Sequence, residues 1–179
     1  MVSVNVGTPR PLLTPAKGEV LSGIVKTPVD GRRRVVAHNI EGDRQADLRV
    51  HGGETKAVYC YPHEHYARWA EELSRADLVP GQFGENLTTL GLLETQVRVG
   101  DRLRVGSALL EVTQPRSPCF KLAARMGLPE FPRLFLRSGR SGWYLRVVEE
   151  GDVGAGDVIV REFAGAGPTV LEALRDDVE

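Results

Sequence analysis

The residues best suited to chemistry stand together in Gln114-Pro115-Arg116-Ser117-Pro118-Cys119. Two prolines fix φ on either side of Arg116 and Ser117, and each pushes the residue before it out of helical conformation. Cys119 is thereby aimed. Helical spacing begins at Phe120, so the thiol falls at a helix N-terminus with Arg116 and Lys121 close in sequence. A positive helix end and neighbouring cations favour thiolate over thiol. A thiolate is either a nucleophile or a soft-metal ligand. A cysteine that only packs as a small hydrophobe gains nothing from two prolines and an arginine. The other cysteine, Cys60, alternates within the apolar run 57–61 and reads as core.

Around this thiol the chain carries pieces suited to an anion. Gly52-Gly53 lets a backbone approach a ligand and expose N–H groups as a nest, with His51 and Lys56 as donors at its two ends. Taken alone, the same residues are an ordinary Gly-Gly turn before a strand. Lys26 and Thr27 end a β-friendly run stopped by Pro28. In the loop Pro80-Gly81-Gln82-Phe83-Gly84-Glu85-Asn86-Leu87, Asn86 can donate and accept within a cleft, or Glu85 and Asn86 can cap the loop. Lys26, Thr27, His51, Lys56, Asn86 and Arg116 all fall at strand ends or in glycine-rich loops, as if converging on one anionic ligand beside a sulfur ligand. His51, Gly52, Gly53 and Lys56 are therefore expected in one cleft with Asn86 and Arg116.

Other chemistries are excluded by what is missing. There is no G-x-S-x-G elbow, no Walker loop and no G-x-G-x-x-G after a strand. A cysteine hydrolase needs a histidine base, and His51, the one histidine in a suggestive loop, has no third group to orient it. Cys60, His63 and His65 invite zinc, but two histidines at i, i+2 on a helix point about 200° apart; both are expected on the solvated surface. With 23 basic against 24 acidic residues and a net charge of −1, no basic stripe suits a phosphate backbone, so no nucleic-acid partner is expected. The two cysteines are no disulfide framework and point to a reducing compartment. Without a signal segment or an apolar run near the roughly 18 residues of a span, a soluble cytoplasmic protein with no membrane partner is expected.

Short elements must position these residues, and the 179 residues at 41% hydrophobic content suit one domain, 1–179. Val2, Val4 and Val6 alternate as a first strand, and Pro9, Pro11 and Pro15 read as a loop. Residues 19–26 and 34–38 read as a hairpin about Asp30-Gly31, and 57–61 as a strand. Pro62 opens a helix whose buried stripe is Tyr66, Trp69, Ala70 and Leu73. Residues 99–106 pair with 108–114, and Gly100-Asp101 is echoed by Gly156-Asp157. Helices are expected at 120–126, 129–136 and 168–176, with Gly127 as a C-cap, and a strand at 143–148. Strands outnumber helices, which predicts a mainly β (α+β) fold: an antiparallel core closing toward a barrel, with a few short peripheral helices.

Five ordered blocks give the chain a family. Glu41-Gly42-Asp43-Arg44-Gln45-Ala46-Asp47, His51-Gly52-Gly53 with Lys56, Phe83-Gly84-Glu85-Asn86-Leu87, Gly100-Asp101 and the Gln114–Cys119 block resemble the MOSC family, in particular its stand-alone bacterial YiiM type, from about Val20 to Val160. That family is named for the C-terminal domain of molybdenum cofactor sulfurases. The resemblance implies a β-barrel and a molybdenum cofactor, Mo-molybdopterin, in which a pterin dithiolene holds the metal and Cys119 adds a sulfur ligand. More distant amidoxime-reducing relatives imply cofactor contacts at Lys26, Thr27, Asn86, Ser117 and Pro118; Tyr144, shortly after Gly142, looks like a cofactor-lining aromatic. YiiM-type proteins usually continue into a small helical domain, whereas at most one terminal helix is expected here. The implied activity is reduction of N-hydroxylated compounds such as hydroxylaminopurines or amidoximes. The alternative is a non-catalytic cofactor carrier or sulfur-transfer module using Cys119. The expected partners are a small-molecule N-hydroxylated substrate and a separate electron-donor reductase, with a homodimer as the alternative to a monomer.

Overall fold

The computed structural model describes residues 1–46 and 52–176. In chain order the first half gives strands β1 (Ser3–Val6), β2 (Arg10–Thr14), β3 (Gly18–Ser22), β4 (Thr27–Pro28), β5 (Arg33–Val36), β6 (Asn39–Ile40) and β7 (Val58–Pro62), then helix α1 (Glu64–Glu72) and β8 (Leu87–Thr89). The second half gives β9 (Arg102–Val105), β10 (Ala108–Pro115), α2 (Phe120–Met126), α3 (Phe131–Ser138), β11 (Trp143–Glu149), β12 (Gly151–Val153), β13 (Ile159–Phe163) and α4 (Val170–Asp176).

Among the described residues the main sheet runs β13-β9-β10-β11-β7-β8-β1-β4, and β12-β5-β6 and β2-β3 form two smaller sheets. The expected barrel is corrected to open sheets. Its last strand, β4, has only two residues, and Pro28 has no N–H to extend the ladder. Nor is the sheet wholly antiparallel. The segment from β7 through α1 returns to β8 in parallel, with Cys60 opposite Leu87 and Tyr61 opposite Thr88, as a helical crossover requires.

Alternation along β7 divides the interior. Val58 and Cys60 face an aliphatic core with Val4, Leu87, Leu110 and Leu145. Tyr59 and Tyr61 face an aromatic cluster with Tyr66, Trp69, Phe83, Phe131 and Phe135. Period-2 geometry thus puts one strand between two cores. Tyr66 and Trp69 are buried from α1 as their spacing predicts, but so is His65, at 7% exposure. The expectation of a solvated His65 fails because its Nε2 lies 2.8 Å from Glu94 Oε2, which replaces its water contacts.

Two other expectations are corrected. Within the proline stretch 9–15, Arg10–Thr14 is strand β2, paired with β3 from Arg10 opposite Ser22 to Thr14 opposite Gly18. A two-stranded ribbon has free outer edges, where proline costs no ladder bond. Nor does the 34–38 region pair with 19–26: β5 pairs with β6 and β12 instead. The reason lies in residues 23–26, which leave the strand and run closely beside glycine-bearing loops. A Cβ on Gly84, at φ +84°, would fall 2.8 Å from Ile24 Cγ1, and one on Gly81, at φ +88°, 2.6 Å from the Lys26 carbonyl oxygen. Only glycine permits both the left-handed backbone and the close approach.

The echo of Gly100-Asp101 in Gly156-Asp157 is the same turn used twice: Asp101 Oδ2 accepts the Arg98 N–H at 2.9 Å and Asp157 Oδ2 the Gly154 N–H at 2.8 Å. No helix among the described residues is long and apolar enough to cross a membrane.

Candidate functional site

β10 delivers the chain to Pro115, and Cys119 is the N-cap of α2 with extended backbone at φ −120° and ψ 172°. The turn between them carries Arg116. Its N–H donates to the Gly142 carbonyl at 3.4 Å, and its side chain is buried at 5% exposure. The guanidinium carbon lies 5.0 Å from the Tyr59 ring centre and 5.4 Å from that of Phe135. Burial pulls its pKa down, but Tyr59, Tyr144 and Cys119 outweigh that and the net shift is upward. Arg116 is a fixed cation. Its Nη1 is buried with no hydrogen-bond partner among the described residues.

Cys119 and Arg116 line an open cleft whose empty space, open solvent included, is about 620 Å³. Lys56 comes from the turn after Gly53, and its Nζ lies 5.8 Å from the Tyr144 ring centre. Lys121 joins from the first turn of α2, Tyr144 from β11, and Gly52 and Gly84 from their loops. Burial, opposed by Arg116, pushes the Tyr144 phenol up; burial pushes Tyr59 well up in the same way. Both phenols stay protonated.

The cleft thus brings together Gly52, Lys56, Asn86, Arg116, Cys119, Tyr144 and Lys26. His51 lies outside the described residues. Gly53, Thr27, Ser117 and Pro118 do not line it. Thr27 is exposed and held in the ladder opposite Val6, and Ser117 points to solvent from the turn. Asn86 lines the cleft, but its amide is engaged elsewhere: Oδ1 accepts the Tyr59 N–H at 3.1 Å and Nδ2 donates to the Asn5 carbonyl at 3.4 Å, tying β8 to β7 and β1. Glu85 caps the loop. Its carboxylate accepts Gly81 N–H at 2.7 Å, Phe83 N–H at 3.1 Å, Thr88 hydroxyl at 2.9 Å and the Tyr66 hydroxyl.

Lys26 is buried at 7% exposure, and its ammonium is paired with Asp43 Oδ1. The same oxygen accepts the Gly7 N–H at 2.8 Å, while Asp43 Oδ2 has no partner among the described residues. Burial lowers the Lys26 pKa against the raising effects of Asp43 and Glu85.

Sequence reasoning missed Ser22, Gly23, Ile24, Gln45, Ala46, Tyr59 and Gly84 as cleft residues. Tyr59 was legible from its alternation with core Cys60; Ser22 to Ile24 carried no signal, because their place depends on the glycines of distant loops.

A mixed-sheet fold thus gathers around one cleft a thiol at a helix start, a buried arginine whose Nη1 has no partner among the described residues, and lysines, a donor set suited to an anion beside a soft metal. Comparison with known proteins places it further. The MOSC domain family matches residues 47–160. YflK of Bacillus subtilis, an uncharacterized protein, is 45% identical over 156 residues, covering 87% of this chain and 70% of that protein. YiiM of Escherichia coli is 44% identical over 136 residues, 75% of this chain and 61% of that one. A protein named reductase from Gibberella moniliformis is 40% identical over 145 residues, 79% of this chain but 26% of its own length. The crystal structure of YiiM from Geobacillus stearothermophilus superposes with a TM-score of 0.80 at 38% identity, over 97% of this chain and 80% of that one. The chain belongs to the MOSC domain family and is of the YiiM type. That family is associated with molybdenum cofactor binding, and a molybdenum cofactor-related function is supported.

The residues present fit such a group. A buried cation with an unsatisfied N–H is what a phosphate or pterin oxygen would complete, and a thiol in the same cleft is a soft donor for molybdenum.

Proposed function

We propose that the protein is a molybdenum cofactor-binding oxidoreductase that reduces N-hydroxylated compounds, of hydroxylaminopurine or amidoxime type, with Cys119 as the protein's ligand to the metal. The carrying observation is the buried Arg116 guanidinium, whose Nη1 lacks a partner among the described residues, in the cleft that Cys119 lines. A relative named reductase supports the redox reading.

When bound, the cofactor would supply a two-electron centre with affinity for the substrate oxygen. The chain's own residues do the rest. Arg116 and Lys56 bind anionic oxygens, Tyr144 lies beside both as a protonated wall, and Cys119 presents sulfur. The electrons come from a separate reductase.

Protein produced with an intact cofactor pathway is assayed for molybdenum and for reduction of a hydroxylaminopurine with a chemical electron donor. Stoichiometric metal with turnover supports the reading. Metal without turnover on any N-hydroxylated substrate leaves a cofactor carrier, and absence of metal overturns both.

A further inference from the structure

Glu94 is a buried acid in the loop between β8 and β9, and it does not line the cleft. Its backbone is pinned, because its carbonyl accepts the N–H of Leu171, in α4, at 3.0 Å. Its carboxylate reaches two ways: Oε2 lies 2.8 Å from His65 Nε2, and Oε1 accepts the Gly142 N–H at 2.8 Å. An ionised carboxylate only accepts, so the imidazole donates through Nε2. A buried carboxylate is costly to keep unless its oxygens are hydrogen-bonded, and one of these two is devoted to a single backbone N–H.

That N–H belongs to the planar peptide unit whose other end is the Ser141 carbonyl. The Ser141 carbonyl accepts the Tyr59 hydroxyl at 2.8 Å, and the Tyr59 ring lies against the Arg116 guanidinium. The next carbonyl, that of Gly142, accepts the Arg116 N–H at 3.4 Å and the Ser141 hydroxyl at 2.8 Å. Gly142 stands at φ +62°, and a Cβ there would fall 2.2 Å from the Cys60 carbonyl oxygen. Glycine is required, yet glycine by itself favours neither sign of φ. The bond to Glu94 supplies the choice. One peptide unit thereby links a buried acid outside the cleft to the ring and the backbone that hold Arg116 inside it.

Resting on the function proposed above, we propose that Glu94, set by His65, is a positioning residue of the cofactor site: by holding the Ser141–Gly142 peptide unit it orients Tyr59 and Arg116 toward the anion.

Two readouts test the assignment. The first uses ligand-free protein and amide hydrogen exchange followed by NMR. Glu94→Met, which keeps the volume without the oxygens, and Glu94→Ala should each exchange about tenfold faster at the Arg116 amide, while the Asn5 amide, bonded to the Asn86 carbonyl, keeps its rate. Glu94→Gln should restore the wild-type rate, because its amide oxygen still accepts the Gly142 N–H and its NH₂ can donate to the other tautomer of His65. The second readout is molybdenum per folded molecule in protein produced with an intact cofactor pathway. It should fall about tenfold in Glu94→Met and Glu94→Ala and return in Glu94→Gln. Val97→Ala is the packing control, since Val97 lies in the aliphatic core from the same loop and its backbone bonds to Leu93 and Val170; it should lower stability and leave molybdenum per folded molecule unchanged. Wild-type exchange at Arg116 in Glu94→Met and Glu94→Ala overturns the positioning role, as does a Glu94→Gln variant no better than Glu94→Ala, or an equal loss of molybdenum in Val97→Ala. Wild type that takes up no molybdenum overturns the proposed function, and the use of Arg116 with it, whatever the exchange rates.

Discussion

Cys119 and Cys60 differ in every physical respect that matters. Cys60 is 2% exposed, and burial pushes its thiol far up; Cys119 is half-buried at a helix start in the cleft. Cys60→Ser should therefore cost about 1–3 kcal/mol of stability, for a hydroxyl placed in an apolar core, and leave turnover per folded molecule intact. Cys119→Ser should abolish N-hydroxyl reduction while some cofactor remains bound through Arg116 and Lys56, because serine is a harder donor and seldom ionised at neutral pH. Paired assays of urea unfolding and turnover check both; full activity in Cys119→Ser would sink the ligand assignment. Half-buried Lys56 offers a cleaner probe of anion binding than Arg116. Lys56→Ala should lower molybdenum content with almost no change in melting temperature, whereas removing Arg116 also unstacks Tyr59 and Phe135. The thiol and its arginine were legible in sequence because two prolines advertise a shaped turn. Lys26 was legible as a cleft residue, but its engagement by Asp43 was not, since nothing local links residues 17 apart.

At the scale of elements, the Pro80–Leu87 loop shows why half of its reading was open. Glu85 is fully buried, and desolvation raises its pKa against four donors that favour the carboxylate. The sign follows. A carboxyl whose folded pKa lies above its unfolded value holds its proton to higher pH in the native state, so its contribution to stability declines as pH rises from the ordinary carboxylate value through the folded one. In Glu85→Gln that titration is gone. The stability of wild type relative to Glu85→Gln, measured by urea unfolding between pH about 4 and about 8, should fall with rising pH; a flat difference would show a carboxyl that ionises normally. Turn elements such as the repeated Gly-Asp motif were readable because an aspartate accepting the N–H three residues back is a local device. The pairing of β5 with β12 was not, because it joins residues 33–35 to 151–153.

For the whole molecule, β7 separates an aliphatic core from an aromatic one, and the cleft leans on the second only. Phe135 is fully buried among Tyr61, Trp69 and Phe131 while the Arg116 guanidinium lies over its ring. Leu110 is equally buried, but in the aliphatic cluster. Truncation of either side chain should cost comparable stability, about 2–5 kcal/mol for Leu110→Ala and about 3–5 kcal/mol for Phe135→Ala, because each leaves a cavity that close-packed surroundings refill only in part. Their effects on function should separate. Phe135→Ala removes one of the two rings that fix Arg116, so its folded fraction should retain less molybdenum than wild type; the folded fraction of Leu110→Ala should retain as much. Urea unfolding gives the folded fraction and elemental analysis the metal. Equal retention in both variants would mean that Tyr59 and the backbone bond to Gly142 hold Arg116 without Phe135, whose ring then serves stability and not the site.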